Sequence, residues 1–252
     1  MRFEFTTKKC LLIMAVPLLL FSCGSKVPDY FYGNLTCPAK EIVVKEYYAE
    51  KKYGEWVPGE LFSHSKTVFN EKDGVVEYFE YDKTEGNLKE YTRRIKEKKS
   101  RFVLFNNDTI FDETILISED KNAKTKIFTR TIGDEVSTDT IREVREGDVL
   151  TTYMSSGNRF IEEYKDGKVI EAASYNDDGK LLHKDFYKYN KDGLIVENKF
   201  YSTISNDTTT YIYEYLEFDD KGNWTKLLEY KDWKKYDYIT DREKITTREI
   251  TY

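Results

Sequence analysis

From about residue 41 onward, short runs rich in Tyr, Phe, Val, Ile and Thr alternate with brief polar interruptions that carry glycine. One unit keeps returning: an aromatic residue, Asp or Asn, one or more polar residues, Gly, then an apolar residue. It stands at 69–75, 81–88, 164–169, 175–181, 189–194 and 218–224. Glycine reaches positive φ without steric cost, and an Asp or Asn side chain bonds its own turn backbone. Asp-Gly between β-rich runs is a hairpin signal. Gly74 and Gly86 are 12 residues apart, and Gly167, Gly179 and Gly193 are 12 and 14 apart. The gap from Gly193 to Gly222 is 29 residues, with Asn206-Asp207 near its middle as a missing turn. Such spacing leaves room for one strand per turn, and strands adjacent in sequence then pair in space.

The strands alternate imperfectly. In Tyr211–Phe218 one face carries Tyr211, Tyr213, Tyr215 and Glu217, and the other Ile212, Glu214, Leu216 and Phe218. A sandwich would need a cleanly apolar inner face. The pattern predicts an all-β fold: an extended, twisted antiparallel meander of hairpin repeats, flat or curved, with exposed edges. Over 38–48 a helix starting at Pro38 competes with a strand through Ile42-Val43-Val44 to Tyr48; the β-branched and aromatic content favours the strand. From Lys96 to Ser155 the turn signals are weaker, at Asn106-Asn107-Asp108, Glu119-Asp120-Lys121-Asn122, Gly133-Asp134 and Gly147-Asp148. No break divides residues 41–252, which read as a single domain.

Composition supports order without a thick core. Charged residues make up 34% of the chain, which alone suggests disorder, but aromatics make up 15% and suit strands. The net charge of −6, with both signs dispersed, argues against nucleic acid as a partner.

The N-terminus has Arg2, Lys8 and Lys9, then an uncharged stretch from Cys10 to Phe21, then Ser22-Cys23-Gly24. Charge order and short apolar length mark residues 1–22 as a secretory signal. Leu20-Phe21-Ser22-Cys23 resembles a lipobox, although Phe21 is uncommon there. The resemblance implies cleavage before Cys23, lipid on that cysteine and a membrane as partner through the anchor. Three acyl chains would hold the protein durably. Residues 23–40, with Pro28 and Pro38, read as a tether. Gly24 after the cysteine lacks the inner-membrane retention signal of enteric bacteria, which points to the outer membrane with the facing side open. Beyond Cys23, the cleaved chain keeps one cysteine, Cys37, so no internal disulfide is expected.

Tyr48-Ala49-Glu50-Lys51-Lys52-Tyr53-Gly54, the turns at 81–87 and 218–224, and the closing Arg248-Glu249-Ile250-Thr251-Tyr252 resemble the repeat lipoproteins of Bacteroidota, related in pattern to YD (RHS-type) repeats. Asn176, Asn190 and the extra residue at 82–86 depart from the strict pattern. The resemblance implies an all-β envelope protein and no reaction.

Motifs that carry chemistry are sparse. His64 and His183 have no partner in spacing, and no metal ligand set, cofactor motif or nucleophile motif occurs. Ser174, Asn176, Asp178, Gly179 and Asp185 imitate a calcium loop but lack its first Asp and last Glu. Tyr211, Tyr213 and Tyr215, with Trp224 and Tyr230 on a following strand, form a candidate outward ladder that could stack on sugar or peptide; the plainer reading is that they shield the sheet. Asp108-Thr109-Ile110, Asp139-Thr140-Ile141 and Asp207-Thr208-Thr209 look like the O-glycan acceptor motif of Bacteroidota secreted proteins, each beside a predicted turn. The expectation is a non-catalytic binding or assembly module of the envelope, with an envelope protein or glycan as partner. The alternatives are a carrier of a lipid or other apolar ligand, and a hydrolase acting on glycans.

Overall fold

The repeated turns join strands into a continuous antiparallel succession: β1 (Glu41–Lys52), β2 (Glu55–Asn70), β3 (Val75–Tyr81), β4 (Leu88–Ile95), β5 (Lys98–Phe105), β6 (Asp108–Glu119), β7 (Ala123–Ile132) and β8 (Glu135–Glu146), then β9 (Val149–Met154), β10 (Arg159–Lys165), β11 (Lys168–Tyr175), β12 (Leu181–Tyr189), β13 (Ile195–Ser202), β14 (Asp207–Phe218), β15 (Trp224–Lys231) and β16 (Lys244–Thr251). The computed structural model describes residues 35, 39–70, 75–81, 87–95, 98–105, 108–232 and 243–252. The signal and tether through residue 34, Cys23, Cys37 and the turns around Gly74 and Gly86 lie outside them.

Three of the repeat turns share one device. Asn176, Asn190 and Asp219 each accept, through the side-chain oxygen, the backbone N–H of the residue four positions on, at 2.8–2.9 Å. The carbonyl of each also accepts the N–H of the glycine three positions on, at 3.0–3.1 Å. Gly179, Gly193 and Gly222 have φ of 75°, 84° and 79°. The Asn-for-Asp exchanges therefore keep the turn, because Oδ1 accepts in either residue, as an amide oxygen in Asn and a carboxylate oxygen in Asp. Asn206, at the predicted missing turn, has φ 50° and separates β13 from β14. Bulges fall beside three of the turns, at Glu163/Tyr164, Ser174/Tyr175 and Lys188/Tyr189, where an extra residue increases twist. The region favoured as strand at residues 41–48 is β1.

The open sheet is corrected. β1 pairs with β2 and also with β16, from Glu41↔Thr251 to Tyr48↔Lys244, and this closes the sixteen strands into one barrel. No free edge remains among the described strands, so the expected edge pairing with a partner has no strand to use. Closure follows from twist and stagger accumulated around all the strands; no local signal in the sequence pairs the first strand with the last. A barrel of this size is wide enough to leave a water-filled lumen.

Residues directly opposite in an antiparallel pair point to one face, so the register sorts the side chains into two sets. One set holds Asp185, Tyr187, Asn198, Tyr211 and Arg248; the other holds Lys184, Phe186, Lys199, Ile212 and Glu249. In β12 the first set is half-buried while Leu182, Phe186 and Lys188 are exposed. Its members also interact across an intervening strand, Tyr187 with Glu162 over β11 and Tyr213 with Tyr187 over β13. Side chains converge on a concave wall and diverge on a convex one, so this set lines the lumen. The outer wall has its own buried pair, Leu228 opposite Ile245. The apolar core is small: Ala39, Ile42 and Val44, with Leu35, Phe69 and Ile250 packed against them on the inner side of the seam.

Candidate functional site

The inner wall has two chemically different stretches. Across β4–β7 it carries a charge ladder. Arg101 bonds Glu90 at 2.6 Å and lies 3.5 Å from Asp112. Arg130 grips Asp112 through two nitrogens, at 2.8 and 3.0 Å. Thr92 adds a hydroxyl to Glu90 at 3.1 Å. Burial pushes the Glu90 carboxyl up, but the Arg101 hydrogen bond and charge outweigh it and hold the group below its ordinary value. Such a ladder consumes its own charges and fixes the wall; it offers little to a ligand.

Across β10–β14 the wall is aromatic and polar. The register lays Glu162, Ala172 and Asp185 in one row, and Tyr187, Asn198 and Tyr211 in the next. Tyr213 follows, opposite Glu229. Ala172 is buried, and its small side chain leaves Glu162 within electrostatic reach of Tyr187. Asn198 donates from Nδ2 to Asp185 at 3.2 Å. Burial, then the charge of Asp185, pushes the Tyr187 phenol up to about 12. Tyr213 is pushed up further, by burial first and then by Glu229. Burial also raises Glu162, against the hydrogen bond from Tyr164 that lowers it.

The tyrosines divide by whether their hydroxyls are engaged. Tyr164 donates to Glu162 at 3.2 Å, Tyr189 to the Val169 carbonyl at 2.7 Å, and Tyr215 to the Ile195 carbonyl at 2.9 Å. Tyr189 and Tyr215 stand at a turn or bulge and tie it to the neighbouring strand, whereas the Tyr164 bond lies within β10. Each such bond contributes about 1 kcal/mol. Tyr187, Tyr211 and Tyr213 have no hydrogen-bond partner among the described residues.

The candidate aromatics are thus partly brought together. Tyr211, Tyr213 and Tyr215 share a face as expected, but that face is the lumen wall and not the outside. Trp224 stands edge-on to Tyr215, with ring centroids 5.8 Å apart. Tyr230 is on the outer wall, where it donates to Glu214 at 2.6 Å, because position 230 alternates away from Leu227 and Glu229. Reading single strands missed Glu162, Tyr187 and Asn198, and met Asp185 only in the incomplete calcium pattern, since only register aligns the four with Tyr211 and Tyr213. His64 and His183 stand on opposite walls, beside Tyr81 and Phe200. Thr109, Thr140 and Thr208 are all exposed on the outer wall. Thr140 lies within β8 and not beside its end, yet its carbonyl accepts the N–H of Ser155, in the turn after β9, at 3.0 Å.

The outer wall carries ion pairs between neighbouring strands: Lys66–Glu41 at 2.6 Å, Lys184–Glu171 at 2.6 Å, Lys98–Glu113 at 2.8 Å and Arg93–Glu77 at 3.7 Å. An aromatic ladder runs between them, Phe79–Tyr91–Phe102–Phe111, at centroid spacings of 5.1, 6.1 and 4.7 Å. This supports pairing of β3 to β6 across strands.

No family model and no curated protein matches the chain. Among solved structures it is similar to a porin-like protein from Bacteroides uniformis, at 12% identity over 84% of this chain and 96% of that one. The TM-score is 0.33, a likeness that decides nothing about either fold or function.

Proposed function

We propose that this is a non-catalytic binding protein of the cell envelope, anchored by lipid on Cys23 to the outer membrane, whose barrel stands in water beside the bilayer and does not cross it. The observation that carries the reading is charge on both walls. A lipid-facing barrel presents an apolar band, and a Lys or Arg on it costs about 2–4 kcal/mol at the bilayer midplane. Here Lys66, Arg93 and Lys184 pair with carboxylates on the outer wall, while the Glu90–Arg101–Asp112–Arg130 ladder lies inside. The polar inner wall also weighs against the carrier of an apolar ligand. The resemblance to repeat lipoproteins agrees with the anchor, and the spent carboxylates of the ladder agree with a binding role more than a hydrolytic one.

The test separates anchor from barrel. Wild-type protein should incorporate radiolabelled palmitate, and Cys23→Ser should not. When an ordinary cleavable secretory signal replaces residues 1–23, the protein leaves the membrane and fractionates with soluble proteins. Retention in the membrane without the anchor would mean that the strands themselves insert, and the proposal would fail.

A further inference from the structure

We propose that the inner wall over β10–β14 binds a neutral carbohydrate chain, on the faces of Tyr187 and Tyr213 and the polar groups around Asn198. The inference rests on the binding reading above and names its ligand class.

Four observations meet there. The hydroxyls of Tyr187, Tyr211 and Tyr213 have no hydrogen-bond partner among the described residues, whereas Tyr164, Tyr189 and Tyr215 on the same wall are engaged. Oδ1 of Asn198 is buried and unpaired, while its Nδ2 is held by Asp185 at 3.2 Å. A buried acceptor without a partner is destabilising, and an incoming hydroxyl satisfies it. Ala172 supplies the gap, a small buried side chain between Glu162 and Asp185, one row from Tyr187. The rings of Tyr187 and Tyr213 carry no cation or aromatic partner among the described residues. Tyr211 lies under Lys231 at 5.7 Å and Tyr164 under Arg145 at 4.6 Å.

These features select the ligand. A sugar ring offers an apolar C–H face to an aromatic ring and a rim of hydroxyls that both donate and accept. That matches free phenols beside an acceptor amide and carboxylate. An organic cation is the rival. Two of the three local carboxylates already face a cation of the chain, Glu162 through the charge of Arg145 and Glu229 through Lys244 at 3.7 Å, and Asp185 takes the Asn198 amide. The site therefore favours a neutral, hydroxyl-rich occupant.

The experiment uses the full-length lipidated protein in a detergent without a sugar headgroup. Maltoheptaose, cellohexaose, xylohexaose and mannohexaose are titrated by calorimetry, with saturation-transfer NMR to mark the contacting sugar protons. At least one saccharide is expected to bind. Tyr187→Ala and Tyr213→Ala each weaken it at least tenfold, Tyr187→Phe and Tyr213→Phe weaken it several-fold, and Tyr230→Phe on the outer wall leaves it unchanged. Circular dichroism melts confirm the folding of each variant, and the Phe variants carry the test if an Ala variant does not fold. The proposal is overturned if no saccharide binds, if binding ignores Tyr187 and Tyr213, or if spermine binds there and the sugars do not. None of these results alters palmitate labelling or release of the unanchored barrel, so failure here is distinct from failure of the envelope reading.

Discussion

The guanidinium carbon of Arg248 lies 3.6 Å from the centroid of the Trp224 ring, and its Nε donates to the Trp224 carbonyl at 2.8 Å. The pair joins β16 to the start of β15, one strand away from the seam where β16 meets β1. Burial lowers the Arg248 pKa to about 10, against the charge of Asp219 that raises it. Beside it Tyr252 donates to Asp219 and accepts from Asn223, and Lys221 covers the Tyr252 ring. The last residues of the chain are thereby locked onto the β14–β15 turn.

This lock predicts an asymmetric response to mutation. Trp224→Ala removes a large buried ring and uncovers a buried cation, for a loss of about 3–5 kcal/mol. Arg248→Met keeps the volume and removes the cost of burying a charge, so its loss is about 1 kcal/mol or less. Urea unfolding of the two variants measures both. Equal losses would contradict this asymmetry.

Alkaline pH should unfold the barrel through its tyrosines. Tyr164, Tyr187 and Tyr215 are each pushed up to about 12, chiefly by burial, and Tyr230 to about 12, chiefly by its hydrogen bond to Glu214. Their folded values lie above the unfolded value of about 10. Below pH 10 the stabilisation is complete. Between about 10 and 12 the unfolded chain sheds phenolic protons that the folded chain keeps, so stability falls as pH rises. Absorbance at 295 nm should show a late-titrating class whose ionisation coincides with loss of the β-sheet dichroism. A single class near 10 with the sheet intact contradicts the prediction.

Asp112 is the hinge of the inner charge ladder, almost fully covered and bound by Arg130 and Arg101. Asp112→Ala removes the charge-assisted hydrogen bonds to Arg130, while Arg101 keeps Glu90 and both arginines stay partly in water, so the loss should be about 1–3 kcal/mol. The outer pair Glu171–Lys184, with both side chains about 30% exposed, should cost under about 1 kcal/mol when Glu171 becomes Ala. Chemical denaturation at low and high salt checks both: salt should erase the second effect and spare most of the first.

Thr109, Thr140 and Thr208 are proposed as glycan acceptors. The Asp before Thr140 and the Asp before Thr208 each accept the threonine N–H, at 2.8 Å, and all three hydroxyl-bearing residues are exposed on the outer wall. Protein taken from native envelopes should weigh more than its lipidated chain, and each Thr→Ala change should remove one increment. A mass accounted for by lipid alone defeats the assignment.

The turns were legible in the sequence because their physics is local. Asn176, Asn190 and Asp219 hold backbone amides within four residues of themselves, and Gly179, Gly193 and Gly222 provide the conformation each reversal needs. The same locality made the meander and the shared face of Tyr211, Tyr213 and Tyr215 readable. Closure was not readable, because the pairing of Glu41 with Thr251 depends on stagger summed over every strand between them. Nor was the side on which the tyrosines lie: alternation tells which residues share a face, and only curvature decides which face is concave. The company of Asn198, with Asp185 and Tyr187 from one neighbour strand and Tyr211 from the other, likewise exists only once register is set, since each strand contributes a side chain or two and the site is their sum.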